Sequence, residues 1–342
     1  MIKPRIRDIA QKAGVSPATV SNALGGRPGV SQEVAAHIRQ LAEQMGYNPA
    51  RIRGDGERRH VRLVIYKSHG LVVMDTQFFA ELIESVQLEC QRAQLELIVS
   101  HLSAGDRELR AKVQEFCQED CAGILLLATE MNAAELAPFK ACRAPLVVLD
   151  NLFRHEEVSS VVMNNYDAGY QATMLLADAG HRAIGHVTCN LPVSNLRYRR
   201  KGYEAAMLER GLPMDENALW PTRPSIEGAY EDMKRLLEHR HAPTALFAAN
   251  DLMAVGCMRA LQEYGYRVPE DVSIIGMDDT SVCLACVPML STIRVSRREM
   301  GVVAVRTLLS MAPVLGDCVV KTELSVCPVM RQSVRRLNEE EV

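Results

Sequence analysis

The feature that most constrains the fold is a regular alternation of apolar strands and amphipathic helices after residue 61. Strands are expected over residues 62–66, 95–102, 123–128, 145–150, 184–188, 245–249 and 272–277. Helices are expected over residues 78–94, 108–118, 166–179, 198–210, 226–238, 252–264 and 297–311. Such alternation builds parallel sheets that helices cover on both faces. About ten strands in roughly 270 residues therefore predict two such units.

The first 48 residues show a different pattern, which predicts three short helices. Their inner-face residues recur at spacings of three and four. These residues are Ile6, Ile9, Ala10, Ala13, Val20, Leu24, Val34, Ile38, Leu41 and Met45. Gly14 ends the first helix, because glycine adopts a positive φ without strain. Ser16 caps the second helix with Pro17 at its first position, and Ser31 caps the third.

Three short helices with a tight glycine turn predict a helix-turn-helix, whose second helix enters the major groove of DNA. Asn22 can pair with adenine, and Pro17 or Ala18 can contact a thymine methyl group. Hydroxyl side chains and the helix N-terminus suit phosphate contacts. We therefore expect DNA contacts from Arg7, Ser16, Pro17, Ala18, Thr19, Ser21 and Asn22. The alternative is a three-helix interaction module with no role in DNA binding.

The charge distribution favours the DNA-binding interpretation. The whole chain carries a net charge of −3, but residues 1–62 hold eleven basic and five acidic side chains. That segment is therefore +6 and the remainder −9. A basic head on an acidic body is typical of proteins that bind a polyanion, although a solvated charged face gives the same excess.

Hydropathy and cysteine usage predict a cytoplasmic protein. No stretch approaches the roughly 18 apolar residues of a membrane span, and no apolar signal core follows the basic residues near Met1. The ten cysteines lie mostly in apolar runs, so we expect reduced core residues. Cys283 and Cys286 have redox or zinc spacing, but a zinc site needs a second ligand pair and none lies nearby. We expect no metal and no cofactor.

The N-terminal sequence resembles the opening signature of the LacI/GalR (lactose/galactose repressor) family of transcriptional regulators. The resemblance is carried by RDIAQKAGVSPATVSNAL at residues 7–24, and by VSQE at 30–33 and GYNP at 46–49. Asn22 stands where the family usually has arginine. The resemblance therefore implies an operator half-site that differs from the common one.

The hinge departs from the family pattern. Family members continue into a short hinge helix that wedges a leucine into the minor groove. By register the leucine position falls on Gly56, and Gly54 and Gly56 each weaken a helix by about 1 kcal/mol. The resemblance implies that Ile52 makes the wedge, or that arginines contact the groove with little helix. The alternative is a flexible basic linker.

The rest of the chain resembles the core of the same family, through GHR at residues 180–182, AAND at 248–251, GMDD at 276–279 and LSTI at 290–293. The implied fold is an all-α helix-turn-helix DNA-binding head joined by a hinge to an α/β periplasmic-binding-protein-like core. That core has two doubly wound parallel-sheet subdomains, with three chain crossings between them and the effector bound in the cleft.

The resemblance also implies domain boundaries. The helix-turn-helix would span residues 1–48, the hinge 49–61, the effector-binding and dimerisation core 62–333, and the C-terminal tail 334–342. Subdomain one would comprise about 62–162 and 296–322, and subdomain two about 163–295 and 323–333. No heptad repeat follows residue 333, so we expect a homodimer without a C-terminal coiled coil.

Polar residues that follow the predicted strands could converge on one cleft, because ligands in these folds bind beyond the carboxyl ends of strands. They are Asp150, Asn190, Asn250, Asp251, Asp278 and Asp279. Helix capping is the alternative role, above all for Asp251 and Asp279.

The family resemblance selects among the candidate effector residues. Its effector-binding arginine and aspartate fall on Arg199 and Asp278, which can each clamp paired sugar hydroxyls. Asp150 and Asn250 are further candidates. Phe78, with Phe79, would supply an apolar wall or pack in the core.

Two departures from the family concern the ligand. The loop over residues 67–77 is about four residues longer than usual. Trp220-Pro221-Thr222-Arg223-Pro224 replaces the pattern in which an aromatic residue stacks on a sugar. Arg223 would favour an anionic effector, or is a surface arginine.

These observations predict a sequence-specific DNA-binding transcriptional regulator, expected to be a repressor. A small-molecule effector, a sugar or sugar derivative, would control its affinity for double-stranded operator DNA. A solute-binding protein would need a signal peptide or lipid anchor, and we find neither. An α/β enzyme would carry a nucleotide-binding glycine loop, a nucleophile elbow or a metal triad, and the sequence shows none.

Overall fold

The computed structural model describes residues 6–24, 30–45, 60–73, 77–214, 216–311 and 318–338. The chain separates into two units, residues 1–58 and 59–342. Most of the predicted hinge, including Ile52 and Gly56, lies outside the described residues.

The first unit contains the three predicted helices, α1 (Ile6–Ala13), α2 (Pro17–Leu24) and α3 (Gln32–Gln44). Their core is made of small and branched side chains, namely Ile9, Ala10, Val20, Ala23, Ala35, Ile38 and Ala42. Val34, which was expected to be buried, is 38% exposed. On α3 the buried face runs through Ala35, Ile38 and Ala42, at spacings of three and four, and Val34 lies beside that face.

The turn between α1 and α2 follows the sequence prediction. Gly14 has a φ of +66°. The backbone N–H of Val15 donates to the carbonyl of Ala10 at 3.1 Å. The hydroxyl of Ser16 accepts from the backbone N–H of Thr19 at 3.1 Å, which is the geometry of a helix N-cap. The glycine stop and the serine cap are thus both confirmed.

The second unit contains twelve strands and nine α-helices among its described residues. The strands are β1 (His60–Lys67), β2 (Glu96–Ser103), β3 (Gly123–Leu127), β4 (Leu146–Leu149), β5 (Ser159–Met163), β6 (Ile184–Thr188), β7 (Leu219–Pro221), β8 (Ala245–Ala248), β9 (Ser273–Asp278), β10 (Ser291–Val295), β11 (Lys321–Leu324) and β12 (Val326–Val329). The helices are α4 (Gln77–Arg92), α5 (Leu109–Gln118), α6 (Ala133–Leu136), α7 (Asn165–Asp178), α8 (Ser194–Glu209), α9 (Ile226–Leu237), α10 (Asp251–Glu263), α11 (Val282–Ala285) and α12 (Arg297–Ser310).

The strands sort into two six-stranded sheets. The first sheet has the order β11-β5-β4-β3-β1-β2, and the second has the order β12-β10-β9-β8-β6-β7. All neighbours pair in parallel except β10 and β12. The chain therefore passes between the sheets three times, after β5, after β10 and after β11.

The seven predicted strands and seven predicted helices of this unit are all present within a few residues. Five further strands, β5, β7, β10, β11 and β12, were not predicted. They are three to five residues long, and several carry serine, threonine or charged side chains in place of a continuous apolar run. Hydropathy alone does not distinguish such segments from loops.

The cysteines differ from the expectation of reduced core residues. Cys117 and Cys142 form a disulfide, because the end of α5 packs against the 3-10 helix Ala137–Ala141 that precedes Cys142. Cys318 and Cys327 are exposed. Cys283 is buried and Cys286 half-buried, and both are free thiols, in keeping with a structural role for that pair.

Candidate functional site

A cavity of about 350 Å³ lies where the carboxyl ends of strands from the two sheets face each other. Its walls include the five residues predicted for an effector site, Phe78, Asp150, Arg199, Asn250 and Asp278. The strands β4, β8 and β9 end at or just before three of them. The topology therefore brings together side chains that are separated by up to 200 positions in the sequence.

Arg199 is the only basic residue that lines this cavity among the described residues. Its Nε donates to the side-chain oxygen of Asn165 at 2.9 Å, and Nη1 donates to the carbonyl of Ala249 at 2.5 Å. Nη2 lies 3.9 Å from the carboxylate of Asp278. The guanidinium is buried and mostly engaged by protein acceptors, which holds it in one orientation.

Two glycines allow the helix that carries Arg199 to approach the neighbouring helix closely. α8, which carries Arg199, packs flush against α7, because Gly169 and Gly202 lie at their contact. A Cβ on Gly169 would overlap the carbonyl of Arg199, and a Cβ on Gly202 would overlap the carbonyl of Tyr166. Any larger side chain there would push Arg199 away from Asn165.

Asp278 lies at the end of β9 in a strained backbone conformation with a φ of +114°. Burial, with a smaller contribution from the nearby Asp251 carboxylate, raises its pKa to about 7, although the Arg199 charge acts in the opposite direction. The carboxyl group of Asp278 is therefore close to half-protonated near neutral pH.

Asp150 lies opposite, after β4, also with a positive φ of 56°. Its carboxylate accepts from the hydroxyl of Thr129 at 2.7 Å and from the amide of Asn195 at 3.1 Å. Burial raises its pKa to about 6, although the Thr129 hydrogen bond and the Arg199 charge act in the opposite direction. Sequence reasoning missed Thr129 and Asn195, which both line the cavity.

The sequence left open whether Asn250 and Asp251 line the cavity or cap a helix, and the structure shows a different role for each. Asn250 lines the cavity and also caps α10, since its side-chain oxygen accepts from the N–H of Met253 at 2.8 Å. Asp251 does not cap. It accepts from the backbone and hydroxyl of Thr280 and from the hydroxyl of Thr292 at 2.6–3.0 Å, which ties α10 to the end of β9.

The apolar walls come from both sheets. Phe78 and Phe79 at the start of α4 pack edge to face with ring centroids 4.9 Å apart, and both line the cavity and belong to an apolar cluster that contains residues of both sheets. Val72, Val193 and Leu196 add aliphatic surface. A mixed wall of this kind suits a ligand with one apolar face and hydroxyl groups around its edge.

The remaining strand-end candidates lie elsewhere. Asn190 lines a separate groove of about 310 Å³ beside the start of α8. Asp279 neither caps a helix nor lines the cavity, because its carboxylate pairs with Arg294 at 2.7 Å and Arg331 at 2.5 Å.

The segment over residues 220–224, which departs from the family pattern of an aromatic stacked on a sugar, lies outside the cavity apart from Pro224. Arg223 is 58% exposed and pairs with Asp232 at 2.9 Å, so it is a surface arginine. Trp220 is buried, and the guanidinium of Arg240 lies 3.7 Å from its ring centroid. The suggestion that Arg223 selects an anionic effector is therefore wrong.

One cluster of metal-ligating side chains occurs among the described residues, at His60, Glu119 and Cys121. Both carboxylate oxygens of Glu119 already accept hydrogen bonds from the guanidinium of Arg62. A cation at this place would have to displace that arginine, which fits a metal site poorly. Within the described residues, no helix is long and apolar enough to cross a membrane.

Most of the candidate DNA-contact residues lie in α2 or in the turn before it, and Arg7 lies in α1. Ser16 and Pro17 are exposed, whereas Thr19 and Asn22 are half-buried. The side chains of Arg7, Ala18 and Ser21, and all of Ile52, lie outside the described residues. Ser16 also shares a hydrogen bond with the hydroxyl of Thr19 at 2.8 Å, so the two hydroxyls present one polar surface.

Two family models match the chain and indicate its class of protein. Residues 5–50 match the model of bacterial regulatory proteins of the lacI family, and residues 173–334 match the periplasmic binding protein-like domain. A helix-turn-helix followed by a core of two parallel sheets that enclose a cavity is the architecture of a ligand-responsive DNA-binding regulator.

Relatives that align with nearly the whole chain identify its family. The chain is 33% identical to the ribose operon repressor of Haemophilus influenzae over 89% of its length and 90% of that protein. It is 32% identical to the transcriptional repressor PurR of the same species, with the same coverage. A ribose-bound LacI family regulator from Enterococcus faecium superimposes with a TM-score of 0.68 at 25% identity, over 81% of this chain and 100% of that one. The chain belongs to the LacI family of transcriptional regulators.

Proposed function

We propose that this regulator represses transcription by binding an operator, and that a small uncharged sugar in the cavity controls its operator affinity. The observation that carries the proposal is the convergence of Asp150, Asp278 and Arg199 on one cavity between the two sheets. A ligand that bridges groups from both sheets favours one closure of the cleft over another. A ligand shifts such an equilibrium by its difference in affinity for the two states.

The charge of the cavity supports an uncharged ligand. Three carboxyl groups, Asp150, Asp251 and Asp278, line it together with one guanidinium, and that guanidinium already serves protein acceptors. Carboxylates accept hydrogen bonds from hydroxyl groups but repel a phosphate or a carboxylate. The relatives named for ribose support a monosaccharide or a similar polyol.

The effector contacts follow from the same geometry. We assign Asp150, Asp278 and Asn250 to hydroxyl groups, Phe78 to an apolar face, and Arg199 to both the ligand and the closed cleft. The two sheets with their helices would act as the subdomains predicted at about 62–162 with 296–322, and 163–295 with 323–333.

The operator contacts complete the proposal. Ser16, Pro17, Thr19 and Asn22, together with Arg7, Ala18 and Ser21, would meet the major groove, and Ile52 the minor groove. One head makes few base contacts, so a homodimer that reads two half-sites gives useful affinity. A repressor of this kind catalyses no reaction and acts in the bacterial cytoplasm, on the nucleoid when it is bound to its operator.

The test is a mobility shift of the purified protein on DNA from upstream of its own gene, with and without a panel of neutral sugars, sugar acids and sugar phosphates. We expect a specific shift that one neutral sugar alters. A specific shift that only an anionic compound alters would contradict the assigned ligand class. The absence of any specific shift would contradict operator binding itself.

A further inference from the structure

Glu130 is a buried carboxylate at the edge of the cavity that the proposed function does not use. It follows Thr129 directly, just after β3, and its side chain is 0% exposed. Among the described residues no lysine or arginine pairs with it, and the nearby imidazole Nδ1 of His69, 3.3 Å from Oε1, accepts the backbone N–H of Leu71 at 3.2 Å. A buried acidic group without an arginine or lysine partner requires other hydrogen-bond donors.

Those donors are five backbone N–H groups of a single loop. Oε2 of Glu130 accepts from Ser68, His69 and Gly70 at 2.7–2.9 Å. Oε1 accepts from Val72 and Val73 at 2.8 and 2.9 Å. Gly70 takes a φ of +69°, which turns successive N–H groups toward the same carboxylate.

The loop over residues 68–73 (the 68–73 loop) connects the two halves of the second unit. Val73 is buried in an apolar cluster that contains residues of both sheets, such as Ile65 of the first and Met277 of the second. Its neighbour Val72 packs against the apolar cluster of the second sheet, which includes Val193 and Leu196. Val72, Val193 and Leu196 also line the cavity together. The loop begins at the end of β1 in the first sheet, so Val72 reaches across the cleft.

The charge state of Glu130 suits this role. Burial alone would raise its pKa, but the backbone N–H groups of the 68–73 loop outweigh burial and hold the pKa below its ordinary value. The ionised form therefore persists at neutral pH and strengthens every hydrogen bond to the loop.

We propose that Glu130 is a positioning residue that holds the 68–73 loop as a latch, with Val72 pressed against the second sheet at the wall of the cavity. In calling this the effector cavity, the inference rests on the proposed function. Val72 would contact both the bound ligand and the second sheet. The latch would therefore make closure of the cleft depend on the size of the ligand.

Hydrogen–deuterium exchange of the ligand-free full-length protein tests the latch. Glu130→Gln keeps the shape but loses the charge and turns one acceptor into a donor. We expect at least tenfold faster exchange of the amides of Ser68, His69, Gly70, Val72 and Val73, and faster exchange at residues 193–196 of the second sheet. Glu115→Gln, the same change on the exposed face of α5, should leave both segments as in the wild type.

Two further variants keep the test decisive if Glu130→Gln does not fold. Gly70→Ala strains the loop at its positive φ without placing any atom within 4 Å of the new methyl group. Val72→Ala removes only the contact to the second sheet. Both should speed exchange at residues 193–196. Faster exchange that stays confined to residues 68–73, or unchanged exchange in all three variants, would overturn the latch.

Ligand affinity provides an independent test of the latch. D-ribose titrated calorimetrically into the wild type and Glu130→Gln should show at least a tenfold loss of affinity in the variant, and Val72→Ala should show a similar loss. Equal affinities would overturn the coupling to ligand. If the wild type binds no D-ribose, the assigned ligand class fails for that sugar, and the exchange result alone decides the latch.

Discussion

The side-chain amide of Asn195 donates to both the backbone carbonyl and the carboxylate of Asp150, at 3.0 and 3.1 Å. Asn195 belongs to α8 beside the second sheet, and Asp150 ends β4 of the first sheet. Both residues are buried. This pair therefore joins the two halves of the second unit at the floor of the cavity.

Replacing Asn195 with alanine should weaken that joint. Within the described part of the chain the carboxylate of Asp150 would keep only Thr129 as a hydrogen-bond partner, so we expect the free energy of unfolding to fall by about 1–3 kcal/mol. The affinity for the effector should fall as well. Urea unfolding measures the first effect and calorimetric titration the second. Ser194→Ala, at the neighbouring position, is the control, and equal behaviour of the two variants would remove Asn195 from the joint.

Effector affinity should depend on pH through Asp278. The ionised carboxylate accepts hydrogen bonds from two ligand hydroxyls, whereas the protonated form offers fewer acceptors. Burial places its pKa at about 7 in the empty cavity, so affinity should rise as pH increases through that value and level off above it. Asp278→Asn should flatten the profile. A wild-type profile that is flat between pH 6 and 8, or one that falls with pH, would contradict this role.

The same group should make the empty protein less stable at higher pH. Since the folded pKa is raised from 3.8 to about 7, the folded state holds the proton more tightly than the unfolded state. The stabilisation is fully present below about pH 3.8 and is lost as pH rises through about 7. The difference in unfolding free energy between the wild type and Asp278→Asn, followed against pH, isolates this contribution. A difference that does not change with pH would show that Asp278 is ionised throughout.

Phosphate esters of the effector should bind at least tenfold more weakly than the neutral sugar, because Asp150, Asp251 and Asp278 outnumber Arg199 in the cavity. Competition titration with the phosphorylated sugar measures the ratio. The double variant Asp150→Asn, Asp278→Asn should reduce the difference in affinity between the neutral sugar and its phosphate ester. Tighter binding of the phosphate ester to the wild type would show that the guanidinium of Arg199 is available to anions.

Much of the cavity could be predicted from the sequence because parallel strands end at a common edge. Asp150 and Asp278 were found in this way, each directly after an apolar strand. Thr129 and Glu130 carry the same signal after β3 and could have been included. The long loop over residues 67–77 was noticed, but the carboxylate that organises it is about 60 positions further along the chain.

Other residues could not be predicted, because their roles depend on how distant elements are placed. Asn195 stands at the start of a helix with no local feature to mark it. The sequence left open whether Arg223 binds an anionic effector or lies at the surface. Its partner Asp232, one helix later, neutralises it at the surface. The short strands β11 and β12 are visible only through their partners in the sheets.

Substitution of Asn22 tests whether this residue recognises a specific base of the operator. Replacing it with alanine should relax base preference at one operator position by about 1–3 kcal/mol, because a paired amide contact to adenine would be lost. Selection from randomised half-sites measures the preference. Gln40→Ala on the exposed face of α3 should leave it unchanged. If Asn22→Ala selects the wild-type half-site with undiminished preference, Asn22 makes no specific base contact.

The most direct test compares Arg199→Ala with Arg200→Ala in operator binding, with and without the sugar that alters the wild-type shift. Arg199 lines the cavity, whereas its neighbour Arg200 is exposed and pairs with Glu204 at 2.6 Å. We predict that Arg199→Ala binds the operator within about threefold of wild type and no longer responds to the sugar, while Arg200→Ala responds fully. An undiminished response of Arg199→Ala would contradict control of the operator through this cavity.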